Sequence, residues 1–419
     1  MDRREFLKLA TGTSALLLIN PFRAFNALAA TPTADSAFDL AAARRELAAH
    51  RIARIGTGRL EQRFPRSVGP NAQLGPIGRG GSFPIRVITT DKGVVGWGRG
   101  GGRDEEAKRY VGTKVGDVFD VEDGTPDDLP QSLEFGLYDL AGHILDMPVY
   151  EMIGGHGPRE IYVYSGAIYF DDLMPQDNPR GVRAVLEACK QDYELGYRAF
   201  KVKVGRGNRW MKRPEGLRRD IEVTRAVREH FPDCRLLVDA NDGWTLQNAI
   251  NYVKAVADCQ LYWIEEPFWE NVGGLRQLKE AMHAAGCTAF IADGEAVDSY
   301  ASQPTAYGIH SQEFMDRLYA LAEERLVDVF VMDLSAVGFT RWRKVMPELR
   351  KAGVWAAPHT WMSTLKAVGA LHLGAGVGNV CIIEGIPARV IGADFSAYRM
   401  RNGHVVMPNA PGFGLTLKD

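Results

Sequence analysis

The sequence predicts an α/β protein: a C-terminal (β/α)8-type barrel, a modified TIM barrel, preceded by a smaller α+β capping domain. Two observations carry this. From Ile161 onward short apolar runs alternate with helical patterns, the order that builds a parallel sheet. Nearly every run ends in an ionisable residue: Lys201 and Lys203, then Asp239, Glu265, Glu295, Asp333, His359 and Glu384, which follow Lys203 at intervals of 25 to 38 residues. Barrels present reactive residues at the C-terminal ends of several strands, so the series favours closure over a doubly wound open sheet.

In chain order, residues 1–30 come first and resemble an export signal. Asp2-Arg3-Arg4-Glu5-Phe6-Leu7-Lys8 precedes apolar Leu16-Leu17-Leu18-Ile19, and Ala27-Leu28-Ala29 offers a small-x-small cleavage site. The paired arginines resemble the twin-arginine signal that carries folded proteins to the bacterial periplasm, and the stretch is too short to span a bilayer in the mature chain. Residues 45–157 are assigned to the cap, 158–395 to the barrel and 396–419 to a C-terminal segment. Within the cap, residues 50–85 mix Gly, Pro and Arg without periodicity. Pro84 to Thr90 and Val94 to Trp97 then flank Asp91-Lys92-Gly93 as a β-hairpin. Leu133, Leu137, Leu140, Ala141 and Ile144 recur at helical spacing, giving an amphipathic helix that ends before Met147-Pro148. Gly96-Trp97-Gly98-Arg99-Gly100-Gly101 matches a dinucleotide fingerprint in form, but it leaves a hairpin and lacks the βαβ context.

The eight barrel strands are expected at 161–164, 199–204, 236–239, 261–265, 289–292, 329–332, 354–357 and 380–383, with helical patterns such as 219–230 between them. An insertion over 299–325, containing His310, follows the fifth.

Composition narrows the function. The 419 residues are 46% apolar and 24% charged, ordinary for a globular chain of two or three domains. A formal net charge of −2 and the absence of a basic run argue against nucleic acid and for a small-molecule partner. Cys189, Cys234, Cys259, Cys287 and Cys381 lack paired spacing and read as small buried hydrophobes.

The ionisable series divides by chemistry. Asp239, Glu265 and Glu295 stand on three consecutive strand ends, and three carboxylates facing one point repel unless a hard divalent cation lies between them. Oxygen-only ligands select Mg²⁺, with Mn²⁺ as the alternative, over Zn²⁺; Glu266 and Asp293 are near enough to substitute as ligands. Lys201 and Lys203 are two apart on a strand and share a face, where neighbouring charge and desolvation can lower one lysine's pKa and make it a base. Asp333 and His359, on the sixth and seventh strands, form a carboxylate-imidazole pair suited to general acid/base work. Glu384 on the eighth strand either donates a hydrogen bond, held protonated, or orients substrate. In the cap, Arg59, Arg63, Arg66 and Arg79 suit a mobile loop closing over a polyhydroxy or anionic group, with Arg63 and Arg66 assigned to substrate binding.

Lys201-Val-Lys203, Asp239-Ala-Asn241, Trp263-Ile-Glu265-Glu266-Pro267, Ala292-Asp-Gly-Glu295, Asp333, Pro358-His359-Thr360-Trp361 and Glu384 together resemble the mandelate racemase and muconate lactonizing enzyme family of the enolase superfamily. The resemblance spans the mature chain: Leu137 to Gly142 and Pro148 to Gly155 are similar to the family's cap helix and its exit, and Pro408 to Leu415 resembles the tail that returns to the cap. It implies Mg²⁺ on Asp239, Glu265 and Glu295, abstraction of a carboxylic acid's α-proton and a metal-stabilised enediolate. It also implies Lys203 as base with Lys201 tuning it, His359 with Asp333 opposite, Asn241 near substrate and Glu384 supporting the enediolate oxygens. A lysine and a histidine across the site resemble the mandelate racemase subgroup, whereas the muconate subgroup carries a second lysine where His359 stands. One departure is Ala336-Val337-Gly338-Phe339, where the family often has a basic residue and two glycines. Dehydration of an acid sugar to a 2-keto-3-deoxy acid is the first expectation. Racemisation or epimerisation of a 2-hydroxy or amino acid derivative is the alternative, and a non-catalytic exported binding protein the second. The family also implies a homo-oligomer.

Overall fold

The computed structural model describes residues 38–295 and 312–418. The export-signal segment, His310 and the first part of the 299–325 insertion lie outside the described residues.

The cap is built on an antiparallel sheet of β1 (Ile52–Val68), β2 (Gly78–Thr90) and β3 (Val95–Arg99). β1 is a correction, because residues 50–85 read as aperiodic. One face of its second half buries Leu60, Gln62 and Phe64, and the opposite face carries Arg59, Glu61 and Arg63. Glycine and a buried glutamine in those positions mask the period-two alternation. The cap arginines are therefore strand residues rather than parts of a mobile loop: Arg59, Arg63 and Arg66 lie in β1 and Arg79 in β2.

Against this sheet packs the helix Gln131–Ile144, close to the predicted bounds. The glycine-rich run explains how. A Cβ on Gly96 would fall 2.3 Å from Leu140 N, and one on Gly98 2.6 Å from Phe135 Cβ. These glycines let the helix lie directly on β3, which accounts for the fingerprint-like spacing.

The barrel strands are β4 (Glu160–Ile168), β5 (Ala199–Lys203), β6 (Arg235–Asp239), β7 (Trp263–Glu265), β8 (Phe290–Asp293), β9 (Val329–Phe330) and β10 (Trp355–Ala356), each parallel to the next. β11 (Ile383–Gly385) pairs in parallel with β4, and a bridge from Ala356 to Val380 links β10 to the approach of β11. The face of these strands that the helices cover is apolar, as such a sheet requires. Phe200, Val202, Leu236, Val238, Ile264 and Ile291 are all buried. Each such side chain contributes about 1.5–3 kcal/mol, which outweighs local propensity in strands of two to five residues.

After β11 the chain crosses back at once, since β12 (Arg389–Ile391) pairs with β1 in the cap sheet. A hairpin of Arg399–Arg401 and His404–Val406 then extends the barrel sheet beside the start of β4. Further on, Phe413 N donates to Asp139 Oδ1 at 2.8 Å and Val149 N to Gly412 O at 2.9 Å, fixing the tail on the cap helix and its exit. All five cysteines are free; three are buried, while Cys287 and Cys381 are partly exposed. Among the described residues no helix is long and apolar enough to cross a membrane.

Candidate active site

Strand register assembles the site. Lys203 is level with Asp239 across β5 and β6, and Asp239 is level with Glu265 across β6 and β7. These three therefore form one row at the mouth end of adjacent strands, all buried. Lys201 lies two residues below Lys203 on the same face. Its Nζ is 2.7 Å from Glu265 Oε1, 3.3 Å from Asp239 Oδ2 and 3.5 Å from Glu384 Oε1. Lys203 donates to Asp239 Oδ2. Glu295 follows β8 by two residues, and its Oε1 is 3.1 Å from His359 Nδ1.

The far side is held by β10 and the loops around it. Asp333 caps the short helix Leu334–Val337: its Oδ1 accepts from Ser335 N at 2.8 Å and Ala336 N at 3.2 Å. Asp333 Oδ2 lies 3.1 Å from His359 Nδ1, so the pair read from the sequence is formed. Glu384 accepts from Thr360 N at 2.8 Å, and His359 Nε2 is 3.6 Å from the same oxygen. Asn241 is buried behind the row, with its Nδ2 donating to Glu266 Oε2 at 3.4 Å and its Oδ1 unpartnered.

Electrostatics bears on Lys201 and Glu384. Lys201 is pushed well above the ordinary lysine range: burial alone would lower it, but Glu265, Tyr164, Glu384 and Asp239 outweigh burial. The lysine pair is thus flanked by carboxylates, and Lys201 stays a fixed cation. Glu384 is also fully buried, yet Lys201 and His359 hold its carboxyl below the usual range. In this arrangement it acts as an acceptor, from Thr360 N, which suits an orienting role. Asp239 is likewise pulled down, with Lys203 and Lys201 overcoming burial. Glu265 and Glu295 go the other way, raised by burial and by Asp239, with His359 partly offsetting the effect at Glu295.

Two cap residues stay apart from this constellation. Arg66 is committed to buried Asp192, at 2.5 and 2.8 Å, and to Ala167 O at 2.9 Å. Arg63 projects outward to Glu61 at 3.1 Å with its side chain 68% exposed. Alternation along β1 turns Arg63 away from the barrel.

Three contributors were missed. Tyr164 and Tyr169, in and just after β4, put their rings 5.2 Å from Lys201 Nζ and Lys203 Nζ. Tyr169 also stacks on Trp361, which stacks on Phe64 of the cap, so aromatic rings wall the lysine side. Lys366 is the third, its Nζ 2.6 Å from Asp333 Oδ2. A lone lysine in a mostly apolar helix, Thr364–Gly376, was the available signal.

The donor set fits a divalent cation. Asp239, Glu265, Glu295, Asp333 and Glu384 converge on only three ammonium groups, those of Lys201, Lys203 and Lys366, so carboxylates outnumber cationic side chains in the site. Glu265 Oε2 and Glu295 Oε2 are buried without hydrogen-bond partners, the condition that a cation relieves. Among the described residues no three His, Cys, Asp or Glu side chains already stand close enough to enclose an ion. Lysine ammonium groups occupy the intervening positions on Asp239 and Glu265, and closure on a cation requires that those contacts loosen.

Comparison with known proteins gives the same picture. Residues 184–419, more than half the chain, match the family described as enolase C-terminal domain-like. A galacturonate dehydratase from a Geobacillus species, solved with D-galacturonate and 5-keto-4-deoxy-D-galacturonate, is 30% identical with a TM-score of 0.79, covering 89% of this chain and 95% of its own. A mandelate racemase/muconate lactonizing protein from Geobacillus sp. Y412MC10, complexed with magnesium and tartrate, is also 30% identical with a TM-score of 0.79, over 89% and 94%. The D-xylonate dehydratase of Haloferax volcanii is 26% identical over 384 residues, 80% of this chain and 84% of its own length. The row of carboxylates between a Lys-x-Lys strand and an Asp/His pair therefore has its context: this chain belongs to the enolase superfamily, among the mandelate racemase and muconate lactonizing enzyme-like proteins.

Proposed function

We propose that this protein removes the α-proton of an acid sugar and expels the β-hydroxyl, giving a 2-keto-3-deoxy acid. One observation carries the reading: Lys203 flanks the Asp239/Glu265 row on one side, and the Asp333-held His359 lies next to Glu295 on the other. Asp239, Glu265 and Glu295 would hold Mg²⁺, or Mn²⁺ as an alternative, which when bound fixes the substrate carboxylate and neutralises charge as the α-proton leaves. Lys203 takes that proton, and the C–H pair becomes the enediolate. Lys201, a fixed cation beside Glu265 and Asp239, supplies positive potential at the row throughout. His359 then gives a proton to the departing β-hydroxyl, water leaves, and the enol product tautomerises to the ketone. Ionised Glu384 accepts from Thr360 N and faces both Lys201 and His359, keeping the two sides in register. The dehydratase relatives support this choice of acid sugars.

Racemisation is the second reading, since two acid/base groups on different sides of the site also serve it. Incubation with aldonic, uronic and aldaric acids separates the two by product. Full turnover by a Lys203→Ala, His359→Ala double variant would overturn the assignment of bases. The N-terminal twin-arginine-type segment supports export to the periplasm, checked by fractionating cells that express the full chain. A homo-oligomer is the expected assembly, checked by sedimentation.

A further inference from the structure

Lys366 lies in the first turn of the helix Thr364–Gly376, 6% exposed, and has no place in the proton transfers above. Its ammonium meets Asp333 Oδ2 at 2.6 Å, the same oxygen that His359 Nδ1 reaches at 3.1 Å. Asp333 Oδ1 is meanwhile taken by Ser335 N and Ala336 N. A carboxylate has about four acceptor sites, and these four donors fill them. His359 Nδ1 has a competing acceptor, because Glu295 Oε1 is also 3.1 Å away. Which carboxylate orients the ring depends on how firmly Asp333 is held, and its side chain is 23% exposed.

We propose that Lys366 is a positioning residue for the acid/base imidazole: it pins Asp333 Oδ2 so that His359 Nδ1–H is directed to Asp333 rather than to Glu295. The ring then presents Nε2 toward Glu384 and the reaction centre. The inference rests on the reading of His359 as the acid that assists β-hydroxyl departure. Without the ammonium, Asp333 turns toward solvent and the imidazole follows the contact to Glu295.

The test compares Lys366→Met and Lys366→Arg with wild type in D₂O, on whichever acid sugar the wild type dehydrates, after thermal melts show that both variants fold. Partners that orient a functional imidazole typically affect activity 10- to 100-fold, so Lys366→Met should lose keto-acid kcat by roughly that factor with KM nearly unchanged. α-Deuterium incorporation into recovered substrate, which needs Lys203 alone, should persist, and Lys366→Arg should restore part of the lost dehydration. Equal losses of exchange and dehydration, or no loss of either, overturn the positioning role. Long-range ¹⁵N NMR of the His359 ring, on the substrate-free protein, gives an independent readout. A changed ring ¹⁵N pattern in Lys366→Met supports the proposal, and an unchanged one overturns it. Should wild type produce neither keto acid nor exchange, the reaction reading fails, and the NMR comparison still decides the role of Lys366.

Discussion

Gly166 sits inside β4, where the register with β5 shifts, and it faces the carboxylate of the eighth strand. A Cβ built there would lie 2.3 Å from Glu384 Oε1, 3.0 Å from its Cδ and 3.1 Å from its Cγ. Gly166→Ala therefore forces the Glu384 carboxylate away by about 1 Å, to reach ordinary contact distance. Overpacking of this kind costs about 1–3 kcal/mol. Displacement also strains the 2.8 Å bond from Thr360 N, and losing a hydrogen bond to a charged group adds about 1.5–3 kcal/mol. Because Glu384 also faces Lys201 and His359, a 1 Å shift of the site should lower kcat by about 100-fold. Urea unfolding and steady-state turnover measure both effects. Gly75→Ala is the control, since nothing lies within 4 Å of its added Cβ. Wild-type stability and turnover in Gly166→Ala would refute the placement of Glu384.

Other perturbations separate structure from chemistry. Arg66→Ala strands buried Asp192 and should cost about 3–5 kcal/mol by denaturant titration, whereas Arg63→Ala should stay within about 0.5 kcal/mol. Mg²⁺ at about 100 times its dissociation constant should stabilise the protein by about 2.7 kcal/mol, and Glu265→Gln should abolish the shift; a wild-type melt insensitive to Mg²⁺ counts against the ligand set. Asp139 is fully buried, and burial raises its carboxyl to about 6 despite His143. The folded state therefore binds a proton that the unfolded state has already lost between about pH 4 and 6, so this group's contribution falls as pH rises through that window, by of order 3 kcal/mol. Unfolding free energies at pH 4.5 and 6.5 should diverge less in Asp139→Asn than in wild type, and equal slopes would contradict the account.

Much of the barrel and its chemistry was legible because each functional strand is an apolar run closed by one charged residue. Register then turned the spacing of Lys203, Asp239 and Glu265 into a row. What stayed hidden depended on partners distant in sequence. β1 alternates, but Gln62 on its inner face and glycines along it blur the pattern. Arg66 looked free for substrate because Asp192 lies 126 residues away, and nothing local marks that pair. The protonation of Glu384 is set by Lys201 and His359 together, beyond the reach of either motif alone. Tyr169 escaped notice because the first strand carries an aromatic where its neighbours carry charge, although its ring stacks on Trp361 beside Lys203.

The central claim, proton abstraction next to the carboxylate row, is tested most directly by product analysis in D₂O with Mg²⁺ and a panel of acid sugars. The account predicts a 2-keto-3-deoxy acid from at least one of them, with both keto product and α-deuterium exchange lost in the Lys203→Ala, His359→Ala double variant. A folded wild-type protein that binds Mg²⁺ yet yields neither keto acid nor α-deuterium across the panel would contradict it.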